Sequence, residues 1–329
     1  MSGLFADLVG QPQACSLLLA ALDRRRIAPA YLFAGPEGVG RRLAALRFVE
    51  GVMAGPQGSG ALRRRLAEGN HPDLLWVEPT YLHRGELVPL SRGEEAGVNR
   101  RSPPQLRLEQ IREVSRFLAR RPVEAPGCMV VLEQAEAMAE AAANALLKTL
   151  EEPGAGLLLL ITAAPERLLS TIRSRCQLIP LRRLTPEDVA GVLAALPAAD
   201  AAGAGEEATT EPPELLELAA GSPGALLHHR RQWRALPAEL PGRLQEIQGS
   251  LDPLTALALA RDLSEALDGE QQLWLLDWWQ LWLWRRGSGP VVLQRLERLR
   301  AQLRAYVQPR LAWEVALLEL GTALGSSRQ

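Results

Sequence analysis

The chain has 329 residues, 47% of them hydrophobic, enough for two or three domains with substantial cores. Its 37 basic and 38 acidic side chains leave a net charge of −1, so no global field draws it onto nucleic acid or an anionic membrane, and any DNA contact has to come from a local patch. The three cysteines, Cys15, Cys128 and Cys176, have the spacing of neither a disulfide framework nor a zinc site, which fits a reducing cytoplasm. No basic-then-apolar leader opens the chain, so secretion is not expected, and no stretch reaches the roughly 18 uncharged apolar residues of a membrane span.

In chain order, the first strong signal is the apolar run Ala30-Tyr31-Leu32-Phe33-Ala34 followed by Gly35-Pro36-Glu37-Gly38-Val39-Gly40-Arg41-Arg42. A strand, a glycine turn and a helix start would place backbone N–H groups around an anion. The complete motif has Lys and then Ser or Thr after the last glycine, the ammonium for the phosphates and the hydroxyl for Mg²⁺. Here both positions are arginine. Arg41 keeps the charge without the compact ammonium, and Arg42 offers only donors and cannot ligate a metal. This is a nucleotide-hydrolase loop kept for something other than hydrolysis. Gly35, Gly38, Gly40 and Arg41 are the candidate nucleotide-binding residues.

Strands are expected at Tyr31–Ala34, Leu74–Glu78, Cys128–Leu132, Leu157–Thr162 and Gln177–Pro180, several as continuous apolar runs typical of parallel strands buried on both faces. Gly55-Pro56-Gln57-Gly58-Ser59-Gly60 reads as a loop, and the polar stretch from Arg84 to Pro104, closed by Ser102-Pro103-Pro104, as an exposed excursion. The helix from Leu108 to Arg120 carries Arg112, Arg116 and Arg120 four apart. This is either a solvated basic face or a stripe tracking a DNA backbone. The strand at Cys128 ends in Glu133-Gln134, where a hydrolase of this class has Asp for the metal and Glu for the attacking water. Gln134, a neutral amide, cannot take the water's proton. An ordinary buried strand with two polar residues at its end is the competing reading, weakened by the altered loop upstream.

Ala143-Asn144-Ala145-Leu146-Leu147-Lys148-Thr149-Leu150-Glu151-Glu152 forms a helix that Pro153 stops. Glu140, Asn144 and Lys148 make one polar stripe, a solvated or an interaction face. In Ser174-Arg175-Cys176, Arg175 is either a structural ion pair or an arginine aimed at another subunit's triphosphate. After Pro180 the strand signals end. Thr185-Pro186-Glu187-Asp188 starts a helix, Ala198 to Pro213 reads as a flexible connection, and Pro213 to Arg231 is helical with a break at Gly221-Ser222-Pro223-Gly224. Only helices are expected from Pro237 on. Leu273 to Trp284 holds five of the eight tryptophans and is apolar nearly all round, which calls for burial on more than one face, in packing and subunit contact rather than in a membrane.

Taken in order, Phe5-Ala6-Asp7-Leu8-Val9-Gly10-Gln11, the Gly35–Gly40 loop, the Asn144–Pro153 helix and Ser174-Arg175-Cys176 resemble the clamp-loader branch of the AAA+ ATPases. Gly221–Leu226 and Gln308-Pro309-Arg310-Leu311-Ala312-Trp313-Glu314 extend the match over nearly the whole chain. The resemblance implies a RecA-like α/β AAA+ domain with a parallel sheet over residues 1–180, a small helical lid over 181–235 and an all-α collar over 236–329. It implies partners too: ATPase subunits and a delta subunit in a hetero-oligomeric ring that loads a sliding clamp onto primed DNA, with no membrane involved. Members without hydrolysis hold the ring and lend an arginine finger, matched here by Arg175, to a neighbour's ATP. Many relatives carry a four-cysteine zinc module where Gly51–Asn70 has no cysteine before His71-Pro72-Asp73, so neither zinc nor any other metal is expected. No sensor arginine occurs within Gly221–Leu226, only Arg230 and Arg231 beyond. After the fourth strand only Thr162 remains as a polar sensor, followed by Ala163-Ala164. No cofactor is required on this reading, and ATP binding is not expected to be retained.

Overall fold

The structure, a computed structural model, describes residues 3–326 apart from 94, 99–102, 153, 197–210, 248–250 and 306. The chain forms two units, Met1–Ala195 with Gly221–Gly224, and Leu196–Ala220 with Ala225–Gln329.

The first unit is built on a five-stranded parallel sheet of β1 (Ala30–Ala34), β2 (Leu74–Val77), β5 (Met129–Leu132), β6 (Leu157–Thr162) and β7 (Gln177–Pro180), in the order β2-β5-β6-β1-β7. All four pairings are parallel. The strands anticipated from continuous apolar runs are these five, to within a residue at their ends. β1, β5 and β6 are buried along their whole length. Each large aliphatic side chain so buried contributes about 1.5–3 kcal/mol, which is why alternation is absent there. Helices α1 (Pro12–Asp23), α2 (Arg41–Ala54), α4 (Leu108–Leu118), α5 (Glu140–Glu151) and α6 (Ser170–Arg173) connect and cover the sheet, and α7 (Pro186–Ala195) follows it. Phe48 of α2 lies edge-on to Tyr31 of β1, with ring centroids 4.7 Å apart. Ile111, Val114, Leu146 and Leu150 of α4 and α5 complete a core with Val130, Leu132 and Leu160.

Three expectations change. The Arg84–Pro104 excursion begins as the second half of an antiparallel hairpin, β3 (Thr80–His83) and β4 (Glu86–Pro89), turned at Arg84 (φ 51°) and Gly85 (φ 85°). Two successive left-handed residues make the turn that suits strand twist, and Arg-Gly is a weaker sequence signal for it than Asn-Gly. Ser102 lies outside the described residues. The Gly55–Gly60 loop opens α3 (Gly60–Ala67), capped by Ser59. This helix is held by Glu50, a fully buried carboxylate that accepts from Ser59 N (2.9 Å) and Arg63 Nε (2.9 Å). Helix α4 ends at Leu118, so Arg120 lies beyond it. Pro153 lies outside the described residues, as does most of the Ala198–Pro213 connection; α5 ends at Glu151 with Glu152 as its cap.

The second unit is all helical among the described residues: α8 (Glu214–Ala219), α9 (Pro223–Ala235, whose first two residues belong to the first unit), α10 (Glu239–Gln245), α11 (Pro253–Ala266), α12 (Gly269–Arg285), α13 (Pro290–Arg304) and α14 (Pro309–Ser326). The break before α9 falls at Ala220 (φ 45°) and Gly221 (φ 79°), and Pro223 is already helical. Trp274, Trp278, Trp279 and Trp282 of α12 are buried; Trp284 is exposed. The buried indoles meet Trp233 (5.0 Å from Trp278) and Trp313 (6.5 Å from Trp279). Burying a Trp strands an N–H unless it finds an acceptor. Trp279 donates to Leu244 O (3.2 Å), Trp313 to Gln272 Oε1 (3.0 Å) and Trp274 to His229 Nδ1 (2.9 Å). The polar edge of α12, Asp277 and Gln280, binds Arg300 of α13. Among the described residues no helix is long and apolar enough to cross a membrane.

Candidate functional site

The glycine loop leaves β1 at Gly35 and enters α2 at Arg41, with Gly40 as the helix cap at φ 100°. Gly38 also has positive φ (73°), a backbone only glycine adopts without strain. At Gly35 a Cβ would come 2.3 Å from Leu181 O. The loop's carbonyls are tied down from outside. Ser222 Oγ donates to Glu37 O, Gly224 N to Gly38 O (3.0 Å) and Gln11 Nε2 to Val39 O (3.3 Å), while Ala44 N takes Gly40 O (2.8 Å). Gln11 also bonds both the carbonyl and the N–H of Arg182 (2.7 and 2.9 Å), so one buried amide joins the loop to the residues after β7. Gln11 was visible in the sequence only as part of a motif without a role. Its partners are 28 and 171 residues away.

A cavity of about 560 Å³ opens on this loop, lined by Glu37, Gly38, Gly40, Arg41 and Arg42 together with Glu133 and Gln134 from the end of β5. The sequence-expected loop residues are therefore brought together, except Gly35, which does not line the cavity. Burial pushes the Arg41 guanidinium below its ordinary value, against the opposing pull of Glu37, Glu136 and Glu133. Its Nη1 is buried with no hydrogen-bond partner, and so is Glu136 Oε2. Arg42 turns outward. Its guanidinium carbon lies 4.5 Å from the centre of the Trp76 ring and its Nη1 3.6 Å from Glu133, whose carboxylate also accepts from Trp76 Nε1 (2.8 Å). Glu136 Oε1 accepts from Ala163 N (2.9 Å) just after β6, a role the sequence did not reveal. Thr162, fully buried, turns its hydroxyl to Ala164 N (3.1 Å).

A magnesium-bound triphosphate does not fit this donor set. No hydroxyl follows Arg41, Gln134 cannot act as a base, and two carboxylates, Glu37 and Glu133, line the cavity with the two guanidiniums, so polyanion entry meets repulsion as well as attraction. Beyond Gly224, Arg230 pairs with Glu211 (2.9 Å) inside the second unit. Among the described residues no cluster of His, Cys, Asp and Glu could hold a metal ion. His71-Pro72-Asp73 serves the fold: Asp73 accepts from the backbone N–H groups of Val123, Glu124 and Ala125 (2.7, 2.7 and 2.8 Å). Burial alone would raise its carboxyl, but these bonds and His71 leave it below the usual range.

Arg175 lies elsewhere. β1 and β7 pair from Tyr31↔Gln177 to Ala34↔Pro180. The loop follows the last of these pairs and Arg175 precedes the first. About 10 Å of strand, at about 3.3 Å per residue, therefore separates the two ends. Arg175 follows Ser174, the C-cap of α6. Its Nη2 donates to Glu151 Oε1 (2.8 Å) and its Nη1 to Thr171 O (3.1 Å), and its side chain is 37% exposed. Next to it, burial pushes the Cys176 thiol up to about 12. Glu140, Asn144 and Lys148 on α5, and Arg112, Arg116 and Arg120 on and after α4, are all exposed.

Two families cover the chain: the one described as "DNA polymerase III, delta subunit" matches residues 10–185, and "Cyanobacterial DNA polymerase III delta prime, C-terminal domain" matches 188–320. DNA polymerase III subunit delta' of Bacillus subtilis is 32% identical over 185 residues, 54% of this chain and 50% of the relative, so the match spans half the length of that protein. The delta' subunit of Pseudomonas aeruginosa is 33% identical over 268 residues, 79% of this chain and 71% of the relative. The gamma/tau subunit of Mycobacterium tuberculosis is 32% identical over 197 residues, 58% of this chain and 30% of that one. A gamma subunit-related protein of Thermotoga maritima superposes with a TM-score of 0.52 at 18% identity, covering 94% of this chain and 98% of the other, a likeness of fold. With a parallel-sheet unit carrying the loop and an all-helical second unit, the chain belongs to the delta-prime family of DNA polymerase III clamp-loader subunits.

Proposed function

We propose that this protein is a non-hydrolysing subunit of a cytoplasmic clamp loader. It braces a hetero-oligomeric ring of ATPase subunits and a delta subunit, and it lends Arg175 in trans to a neighbouring ATP site. The complex so completed places a sliding clamp on primed DNA. In this reading residues 1–180 are the AAA+ domain, 181–235 a lid and 236–329 the collar that joins the ring.

The observation that carries the reading is the opposite placement of the two arginines. Arg41 is turned into a cavity among acidic groups, whereas Arg175 stands exposed at the far end of the same strand pair. An arginine supplied in trans stabilises charge on the transferring phosphoryl oxygens and is worth about 10³–10⁵ in rate. At the chain's own cavity the residues that would hold a metal and activate water are replaced by Arg42 and Gln134.

An active ATPase of the same fold is the second reading, favoured by the match to gamma/tau subunits and by Glu133, a carboxylate within the cavity. Incubating the purified chain with Mg·ATP separates the two: no steady phosphate release is expected, and release proportional to protein concentration would favour the motor.

A further inference from the structure

The ion pair between Arg175 and Glu151 gives the finger a parked state. We infer that Glu151 is a positioning residue that holds the Arg175 guanidinium against its own subunit until a neighbour's triphosphate competes for it. This rests on the reading of Arg175 as a finger.

Both terminal nitrogens of Arg175 are engaged. Nη1 reaches back to the carbonyl of Thr171, four residues earlier, and Nη2 reaches sideways to Glu151 on another helix. Two anchors on one planar group fix both its direction and its plane, and here they fold it along α6 rather than outward. Glu151 itself is well founded. It is the last residue of α5, whose inner face buries Ala142, Leu146 and Leu150, and Thr149 two residues before it shares a 2.7 Å hydroxyl contact with Ser115 of α4. The carboxylate therefore sits on a fixed element, and the arginine, two residues past the end of a short four-residue helix, is the partner that moves.

The strength of the pair suits a latch. Glu151 and Arg175 are 54% and 37% exposed, and exposed pairs of this kind shift an equilibrium by only about two- to fivefold. A γ-phosphate held in a low-dielectric interface is a far stronger partner for a guanidinium. The latch thus restrains the free finger and yields to a loaded neighbour, without limiting the rate once the site is full.

The test is Glu151→Gln, which keeps the shape and removes the charge. In the purified full-length chain, dicarbonyl labelling of Arg175, followed by peptide mass mapping, should quicken about two- to fivefold. Unchanged labelling overturns the latch. In the assembled complex the same variant should lower the KM for ATP by a similar factor and leave kcat alone. A fall in kcat at constant KM would mean that Glu151 aims the finger instead of parking it, and no change in either would mean that the pair is idle; both outcomes overturn the inference. Arg175→Ala in the same assay judges the underlying reading: if it leaves turnover intact, the finger itself fails, while the labelling experiment still decides on the contact.

Discussion

The two ends of the parallel sheet carry the same residue type in opposite circumstances. At the carboxyl ends of β1 and β5, Arg41 is half-buried beside Glu37, Glu136 and Glu133, with its Nη1 enclosed and without a hydrogen-bond partner. At the amino end of β7, Arg175 shares its charge with one exposed carboxylate. A half-buried guanidinium among acids is held by their charges, and drawing it to a new anion means desolvating both groups. An exposed, singly paired guanidinium changes partners cheaply. The loop keeps its glycines because the backbone demands them: Gly224 closes on Gly38, and a Cβ at Gly224 would come 2.7 Å from the Gly38 Cα. Packing alone is thus enough to require a glycine at this contact.

Exchanging the two arginines for alanine, one at a time, strains this contrast hardest. In the assembled complex Arg175→Ala should lower ATP turnover at the adjacent site by about 10³-fold or more, and Arg41→Ala should fall far short of that. Equal losses measured by steady-state phosphate release would erase the distinction between the ends.

Next in size is a change to the fold near the amino end of β2. Asp73→Ala strands three backbone N–H groups and should cost about 3 kcal/mol or more in urea unfolding. The direction with pH follows from the depressed carboxyl of Asp73. Its contribution is present above the unfolded value near 4 and is lost as pH falls through the folded value, because the unfolded chain then binds the proton first. The stability gap between wild type and variant should therefore narrow in acid; a gap that widens below pH 4 would refute the assignment.

The smallest effect sharpens the cavity end. Arg42 stacks on Trp76 from the solvent side, so Arg42→Ala should cost only about 0.5–1 kcal/mol in thermal unfolding. A loss several times larger would show that Arg42 holds the cavity together rather than covering its rim.

The sheet was legible because strands buried on both faces have to be apolar throughout, and β5 and β6 read that way from their residues alone. The altered loop was equally plain, since Arg41 and Arg42 occupy positions whose chemistry is known from spacing. Asp73 and Glu136 were not legible as anchors: their partners, Val123 to Ala125 and Ala163, are backbone groups, which leave no mark in the side-chain pattern. The hairpin at Arg84-Gly85 escaped because its turn uses an uncommon residue at a left-handed position and its strands are short.

By itself, then, the sequence determined the order of the strands along the chain, the arginine pair after the glycine loop, the position of Arg175 and the tryptophan-rich helix. Each of these is local, a property of residue type and of spacing within one element. Only the tertiary structure decided which charges face each other. Arg41 came to rest among acids drawn from the loop and from the end of β5, Gln11 bridged to Arg182 across the chain, and Arg175 met Glu151, 24 residues away. Such pairings depend on how helices and strands pack, and the free energy of a charge is set by its neighbours and its distance from water rather than by its place in the chain.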